Sequence, residues 1–145
     1  MRFTLAILFI FSANLAVASV APECSQKQSL TCSVVYTMEG GTSTQSPAAS
    51  AHPISTNDGE NLNQTWCMTY ISIEDKGLVL EARLDDKNQL SIDLTENQVA
   101  KHLAFVSLPA GQSYSNAVSL DHSYNSSEGK LEKVKVLEYT CRAQN

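Results

Sequence analysis

The chain has 145 residues, of which 43% are apolar and 17% are charged, and this length fits one domain rather than several. The charged fraction lies below the ~25% that is usual in soluble proteins, which excludes a highly charged disordered chain. The formal net charge of −5 argues against binding to nucleic acid, because phosphate-backbone binding needs a clustered positive surface.

The first 18 residues have the three-part pattern of a secretory signal peptide. Arg2 supplies a positive charge, residues 3–11 form an apolar run, and residues 16–18 (Ala-Val-Ala) match the small-x-small motif of a cleavage site. The run is much shorter than the ~20 residues that span a bilayer, so we expect cleavage after Ala18 and no transmembrane segment. The mature chain then has 127 residues and a net charge of −6, and we expect it in the periplasm or outside the cell.

Four cysteines remain in the mature chain: Cys24, Cys32, Cys67 and Cys141. In an oxidising compartment, an even number of cysteines predicts disulfides. Their spacing lacks the C-x-x-C pairs of zinc sites and thiol redox enzymes, which favours disulfides over metal or catalytic thiols. Four cysteines allow three pairings, and the sequence leaves all three open.

Alternation of apolar and polar residues predicts about seven strands and no long helix. The strands are expected at 30–38, 64–73, 78–84, 90–95, 103–108, 114–124 and 131–141. The block from 64 to 95 has turn residues between its strands and predicts a three-stranded antiparallel meander. Thr95 and Gln98 have the spacing of a helix cap, which leaves room for one helical turn at most. We therefore predict an all-β fold, a small antiparallel sandwich or barrel, meander-like and braced by disulfides.

The domain organisation follows from these elements. Residues 19–29 form an N-terminal segment, and residues 30–145 form a single β domain. Within it, residues 39–61 are rich in Gly, Ser, Thr, Ala and Pro and show no apolar periodicity, which predicts a long flexible loop. The sequence does not tell whether this loop is functional.

Three histidines, His52, His102 and His122, are the main candidates for catalysis or metal binding. Residues 121–123 (Asp-His-Ser) have the residue types of a catalytic triad, but neighbours on a strand point to opposite faces. Solvated polar residues near a turn are the simpler explanation. No two histidines lie within four residues of each other, so nothing local organises a metal site. Clustered oxygens at 57–61 lack the ligand pattern of a calcium loop. We therefore predict no catalytic, cofactor-binding or metal-binding residues.

These observations favour an exported, non-enzymatic β domain that binds a protein or a component of the cell envelope. The sharpest version is an inhibitor of a secreted hydrolase, with the turns at 85–89 and 109–113 as candidate contact loops. The alternative is a small hydrolase or metal-dependent enzyme that uses His102 or His122. A carrier with an apolar molecule in a barrel lumen ranks third, since side chains fill the lumen of a small barrel. The partner and the oligomeric state are left open.

Overall fold

The computed structural model of the chain describes Cys24, residues 28–58 and residues 61–145, with the backbone alone for residues 56–58 and 61–66. The predicted signal peptide and most of the N-terminal segment therefore lie outside the described residues. The strands are β1 (Ser29–Met38), β2 (Ser43–Gln45), β3 (Ala49–Ala51), β4 (Ile54–Asp58), β5 (Asn61–Asp75), β6 (Leu78–Asp85), β7 (Gln89–Glu96), β8 (Val99–Ser107), β9 (Ser113–Asn125) and β10 (Leu131–Gln144).

The strands form two antiparallel sheets, which confirms the all-β prediction. The first sheet has the order β2-β1-β10-β9, with β3 also paired to β1. The second sheet is a meander in the order β4-β5-β6-β7-β8. The predicted three-stranded block corresponds to β5, β6 and β7 in this sheet. The first sheet instead joins the first long strand of the domain to the last one, β1 to β10.

One hydrophobic core lies between the two sheets. Alternate residues of each long strand point inward, as Leu30, Cys32, Val34 and Tyr36 do in β1, while the residues between them face outward. The buried side chains of both sheets belong to a single cluster, so the two sheets pack face to face as a sandwich. Each fully buried aliphatic side chain contributes roughly 1.5–3 kcal/mol to this packing.

The segment at 39–61, for which we predicted a long loop, contains the short strands β2, β3 and β4. The pairing of β2 and β3 explains why these two strands show no strand pattern in their sequence. β2 and β3 add to the outer edge of β1 and are three residues long. β2 is exposed throughout, and only the small side chains of Ala49 and Ala51 in β3 pack against the core, so neither strand has a run of large apolar residues. These strands raise the number in the described residues to ten, against the predicted seven.

The connection between β7 and β8, where the sequence left room for one helical turn at most, contains no helix. Asn97 and Gln98 have φ angles of 50° and 67°, and these two residues make a tight hairpin turn of the primed type. β8 therefore begins at Val99 instead of at Leu103. The cap pattern at Thr95 had no periodic helical sequence behind it, and the hairpin pairing of β7 with β8 decides the conformation.

The alternating strand directions define two ends of the sandwich. The Asn88 end carries the β6–β7 turn, the β8–β9 connection and the C-terminus of β10. The His122 end carries the β5–β6 turn, the β7–β8 turn and the β9–β10 turn.

The cysteines pair as Cys24–Cys67 and Cys32–Cys141, with Cα atoms 5.4 Å and 4.1 Å apart. Cys32 lies directly opposite Cys141 on the paired strands β1 and β10. The second pair closes a loop with a sequence separation of 109 residues, and the first closes one of 43 residues. Cys24–Cys67 also ties the segment before β1 to β5, which belongs to the other sheet.

Candidate functional site

The turn between β6 and β7 is held by its own aspartate. The Asp85 Oδ1 atom accepts hydrogen bonds from the backbone N–H of Lys87 at 2.9 Å and of Gln89 at 2.8 Å. The Asn88 N–H donates to the Asp85 carbonyl at 3.2 Å, and Asn88 has a φ of 61°, which asparagine tolerates better than most residues. The carboxylate therefore fixes the turn, while Asp86 and Lys87 are exposed at its tip.

The connection between β8 and β9 is anchored to the last strand. The Gln112 N–H donates to the Pro109 carbonyl at 3.1 Å and closes a turn around Gly111, whose φ is 79°. Two further backbone hydrogen bonds join this turn to Ala143: Gly111 N–H to the Ala143 carbonyl at 2.9 Å, and Ala143 N–H to the Gln112 carbonyl at 3.1 Å. Ala143 is two residues beyond Cys141, so the anchor lies close to the Cys32–Cys141 disulfide.

The structure brings these two turns together. The Leu108 N–H donates to the Asn88 carbonyl at 2.7 Å, and the Leu108 side chain is 2% exposed and packs in the core. Residues 85–89 and 108–112 thus form one hydrogen-bonded surface at the Asn88 end, which we call the paired turns. Both turns were predicted from their residue types, whereas their contact with each other was not. Such a surface loses little conformational entropy when it binds a partner, because its backbone is already fixed.

His122 is a buried tie between the sheets rather than the solvated residue that we expected. The side chain is 3% exposed. Its Nδ1 atom lies 3.0 Å from a carboxylate oxygen of Glu96 at the end of β7, and its Nε2 atom lies 2.9 Å from the Lys76 carbonyl oxygen. Carboxylate and carbonyl oxygens both accept hydrogen bonds, so the ring joins β9 to two turns of the second sheet. Both nitrogens are engaged, and neither is placed to take a proton from a substrate.

The β5–β6 turn next to His122 depends on a glycine. Lys76 and Gly77 have φ angles of 54° and 71°, as a two-residue primed hairpin requires. A Cβ atom at Gly77 would lie 3.2 Å from the His122 Nε2 atom. At this distance the His122 ring would have to shift to admit a side chain, so Gly77 permits both the turn conformation and the hydrogen bond of His122 in its present position.

Lys76 and Asp75 add a charged cluster above the core at this end. The Lys76 Nζ atom lies 5.4 Å from the ring centre of Tyr36 and 5.7 Å from that of Tyr124. It also lies 3.6 Å from Asp75, whose Oδ2 accepts a hydrogen bond from the Ser46 hydroxyl at 2.7 Å. Burial, together with the nearby Asp75 carboxylate, raises the pKa of Tyr36 to about 12. Tyr36 therefore ionises at a higher pH than an ordinary tyrosine.

A polar cleft of about 510 Å³ opens beside this cluster. Its lining includes Asp75, Lys76, Tyr124 and Glu132. The Tyr124 hydroxyl donates to Glu132 at 2.5 Å, and burial followed by this carboxylate raises the pKa of Tyr124 to about 12. The four lining side chains named here thus already have partners. A second groove of about 670 Å³ lies near Met38 and Leu131.

The outer face of the second sheet carries a ladder of polar side chains across four strands. Asp93 on β7 accepts from Arg83 on β6 at 2.9 Å and pairs with the His102 Nδ1 atom on β8 at 2.8 Å. The Tyr70 hydroxyl on β5 donates to Glu81, and this hydrogen bond is the first cause of the raised pKa of Tyr70. His102 has a side chain that is 55% exposed. Asp93 therefore orients a solvent-facing imidazole, a contact that the sequence analysis missed.

The structure keeps the three histidines in separate surroundings. His52 is exposed between β3 and β4, His102 pairs with Asp93, and His122 pairs with Glu96. Within the described ranges, no group of three or more His, Cys, Asp or Glu side chains is placed to hold a metal ion. The clustered oxygens at 57–61 fall partly outside the described residues. None of the contacts of His102 and His122 given above reaches a hydroxyl or thiol, so these contacts activate no nucleophile.

Comparisons with protein-family models, with curated proteins and with solved structures found no match. In the described part of the chain, no helix is long and apolar enough to cross a membrane.

Proposed function

We propose that this is an exported, non-enzymatic binding protein whose paired turns contact a protein partner. The observation that carries the proposal is the hydrogen bond from Leu108 N–H to the Asn88 carbonyl. It joins two exposed turns that the strands, the Asp85 carboxylate and β10 hold in place. The predicted signal peptide and the two disulfides are compatible with export.

The chemistry of the paired turns suits a protein partner with a concave surface. Their exposed residues include Asp86, Lys87, Pro109 and Gln112, which offer one charge of each sign, a rigid ring and an amide. Turns at the end of a sandwich project from the fold, so they fit a cleft better than a flat surface. A secreted hydrolase has such a cleft at its active site, and inhibition of a hydrolase is the sharpest form of this proposal.

The test compares two double variants with matched charge changes. D86A/K87A removes an acid and a base from the paired turns, and E128A/K130A removes an acid and a base from the turn at the His122 end. Glu128 and Lys130 have side chains that are both 72% exposed, so this control leaves the core intact. The mature protein and both variants are immobilised and exposed to secreted proteins from the same source.

We expect the wild type and E128A/K130A to bind the same partner saturably, and we expect D86A/K87A to bind it at least ten times more weakly. Hydrolase activity in the bound fraction is measured in parallel. Equal binding by all three proteins contradicts the assignment of the contact surface, and the absence of any saturable partner contradicts the binding proposal.

A second candidate, a small hydrolase that uses His102, is favoured by one specific contact. Asp93 fixes the Nδ1 side of the imidazole and Arg83 holds the other carboxylate oxygen, so the Nε2 atom faces solvent as in an oriented general base. The test is H102Q against H52A, with a panel of chromogenic ester and glycoside substrates. Under this candidate, H102Q loses the activity and H52A keeps it. An inactive wild type, or equal activity in both variants, eliminates it.

A further inference from the structure

His122 lies between two hydrogen-bond acceptors of the second sheet. Its Nδ1 atom is 3.0 Å from a carboxylate oxygen of Glu96, and its Nε2 atom is 2.9 Å from the Lys76 carbonyl oxygen. A neutral imidazole carries one N–H group, so it can donate to only one of these oxygens, and its other nitrogen would face an oxygen with a lone pair. With Glu96 ionised, only the protonated ring makes both hydrogen bonds.

Several elements at this end bring charged or titratable groups toward the ring. From β5, its turn, β7, β8, β9 and β10, these groups are Asp75, Lys76, Glu96, Lys101, Tyr124 and Glu132. The Lys76 ammonium lies 3.6 Å from Asp75, and Glu132 accepts from the Tyr124 hydroxyl at 2.5 Å. Asp121, beside His122 on β9, pairs with two lysines of β10. Glu96 is thus the carboxylate whose contact depends on the charge of the ring.

The two acceptors differ in how far they can move. The Lys76 carbonyl belongs to the backbone of a two-residue turn that is closed by the pair Asp75 and Leu78. The Glu96 carboxylate ends a flexible side chain that is 35% exposed, so it can turn into water and leave the ring. The ring is 3% exposed and cannot replace its partners by water. Loss of the proton therefore breaks the contact with Glu96 and keeps the hydrogen bond to Lys76.

The Glu96 side chain lies beside a turn with an unfavourable backbone. Glu96 ends β7, and the next two residues, Asn97 and Gln98, have φ angles of 50° and 67°. Glutamine tolerates this left-handed conformation less well than asparagine or glycine, so the turn depends on contacts that hold it. Glu96 also closes the turn, because it pairs with Val99 of β8. Its contact with His122 therefore helps to hold the β7–β8 turn.

We propose that His122 and Glu96 form a pH-sensitive latch on the β7–β8 turn. The latch is closed at lower pH, while the ring is protonated, and it opens as the pH rises and the ring loses its proton. In the open state, the neutral ring keeps its proton on Nε2 and donates it to the Lys76 carbonyl. The β7–β8 turn is then released, whereas the β5–β6 turn stays fixed. Protonation of histidine is the usual basis of such switches near neutral pH.

Nitrogen NMR of the imidazole rings and amide hydrogen exchange, both followed from about pH 5 to about pH 9, test the latch. The nitrogen shifts of His122 in the mature protein report which ring atom carries a proton at each pH. Exchange rates are converted to protection factors, which removes the intrinsic dependence of exchange on pH. Two amides are compared: Val99, which closes the β7–β8 turn, and Leu78, which closes the β5–β6 turn.

We expect protons on both ring nitrogens of His122 at low pH and on Nε2 alone at high pH. Over the same pH interval, the protection factor of the Val99 amide should fall about tenfold, because the turn loses a hydrogen bond to a charged group. The protection factor of the Leu78 amide should stay within about twofold, because the hydrogen bond to Lys76 is retained.

Two variants separate the latch from other titrations. In E96Q, the new amide can accept from the protonated ring through its oxygen and donate to the neutral ring through its NH₂ group, so the protection of Val99 should no longer depend on pH. H102Q is the matched control, because His102 also has a carboxylate partner and lies on β8. This variant should keep the full response of Val99.

The latch is refuted if the protection of Val99 stays constant while the His122 ring titrates, or if Val99 and Leu78 lose protection together. A ring that keeps one protonation state throughout this pH range also overturns the proposal, as does a neutral ring protonated on Nδ1. A response of Val99 that E96Q retains, or that H102Q abolishes, assigns the pH dependence to another group and overturns it as well.

Discussion

Gly77→Ala tests whether the hydrogen bonds of His122 to the second sheet stabilise the sandwich. Gly77 has a φ of 71°, and its Cβ would lie 3.2 Å from the His122 Nε2 atom. The left-handed conformation costs an L residue about 1–2 kcal/mol. Displacement of His122 from the Lys76 carbonyl leaves buried polar groups without partners, at about 1–3 kcal/mol. The lower flexibility of unfolded alanine offsets ~0.4–1 kcal/mol, so we expect a net loss of about 2–4 kcal/mol in the free energy of unfolding.

Gly129→Ala is the matched control for this substitution. Gly129 has a φ of 74°, nearly the same as Gly77, but nothing lies within 4 Å of its added Cβ. Gly129→Ala therefore has only the cost of the left-handed conformation. We expect its free energy of unfolding to fall by about 1 kcal/mol or less once the lower flexibility of unfolded alanine is included. The difference between the two variants therefore reports the contact with His122.

The assay is equilibrium unfolding in urea, with a common slope fitted to the wild type and both variants. The reasoning requires Gly77→Ala to be less stable than Gly129→Ala by at least ~1 kcal/mol. Equal losses in the two variants would refute the claim that His122 and Gly77 form one packed unit.

Three further predictions concern other parts of the fold. C32S/C141S opens the loop with a sequence separation of 109 residues. We expect the free energy of unfolding, measured by thermal unfolding, to fall by about 2–5 kcal/mol. An unchanged melting temperature would contradict the stabilising role of this disulfide. Thr69 is fully buried, and its hydroxyl donates to the Gln28 carbonyl at 3.1 Å. We expect Thr69→Val to lower the free energy of unfolding in urea by roughly 1–3 kcal/mol, because the Gln28 carbonyl loses its partner. A variant as stable as the wild type or more stable would contradict this. The pKa of Tyr36 and of Tyr124 is raised to about 12 in the folded state, so the contribution of these two groups to stability is complete below pH 10 and is lost between pH 10 and 12. In ultraviolet titration, Y36F and Y124F should each lack one late-ionising tyrosine, and the loss of a tyrosine that ionises near pH 10 would contradict this.

The long strands were predictable because burial on one face imposes alternation. β6 shows this most clearly, since Leu78, Leu80, Ala82 and Leu84 are buried while the residues between them are not. β2 and β3 gave no such signal, because they only extend the edge of β1. The order of the strands in the sheets could not be predicted from the sequence, because the pairing of β1 with β10 joins residues 109 positions apart, as Cys32 and Cys141 show.

The surface contacts were predictable only in part. Asp85 and Gly111 marked two turns by their residue types, but the hydrogen bond between Leu108 and Asn88 depends on how the strands pack. The pairing of His102 with Asp93 depends on a register shift. Ile92 pairs with Ala104 and Asp93 with His102, so Leu103 is skipped. Regular pairing would have placed Leu103 opposite Asp93, and no sequence pattern predicts the bulge at Leu103.

The burial of His122 was not predicted for a different reason. Alternation along β9 places His122 on the same face as Leu120 and Tyr124, which is the inward face. Its polar character nevertheless favoured a solvated position. The acceptors that make burial tolerable, Glu96 and the Lys76 carbonyl, lie 26 and 46 residues away in sequence.

The role of the paired turns is tested most directly by hydrogen exchange of the mature protein, with and without its captured partner. We expect slower exchange of the backbone amides at 86–88 and 110–112 in the complex, and no change at 126–129 in the turn at the opposite end. Protection at 126–129, or on the outer face around His102, with unchanged exchange in the paired turns, would contradict the proposed binding surface.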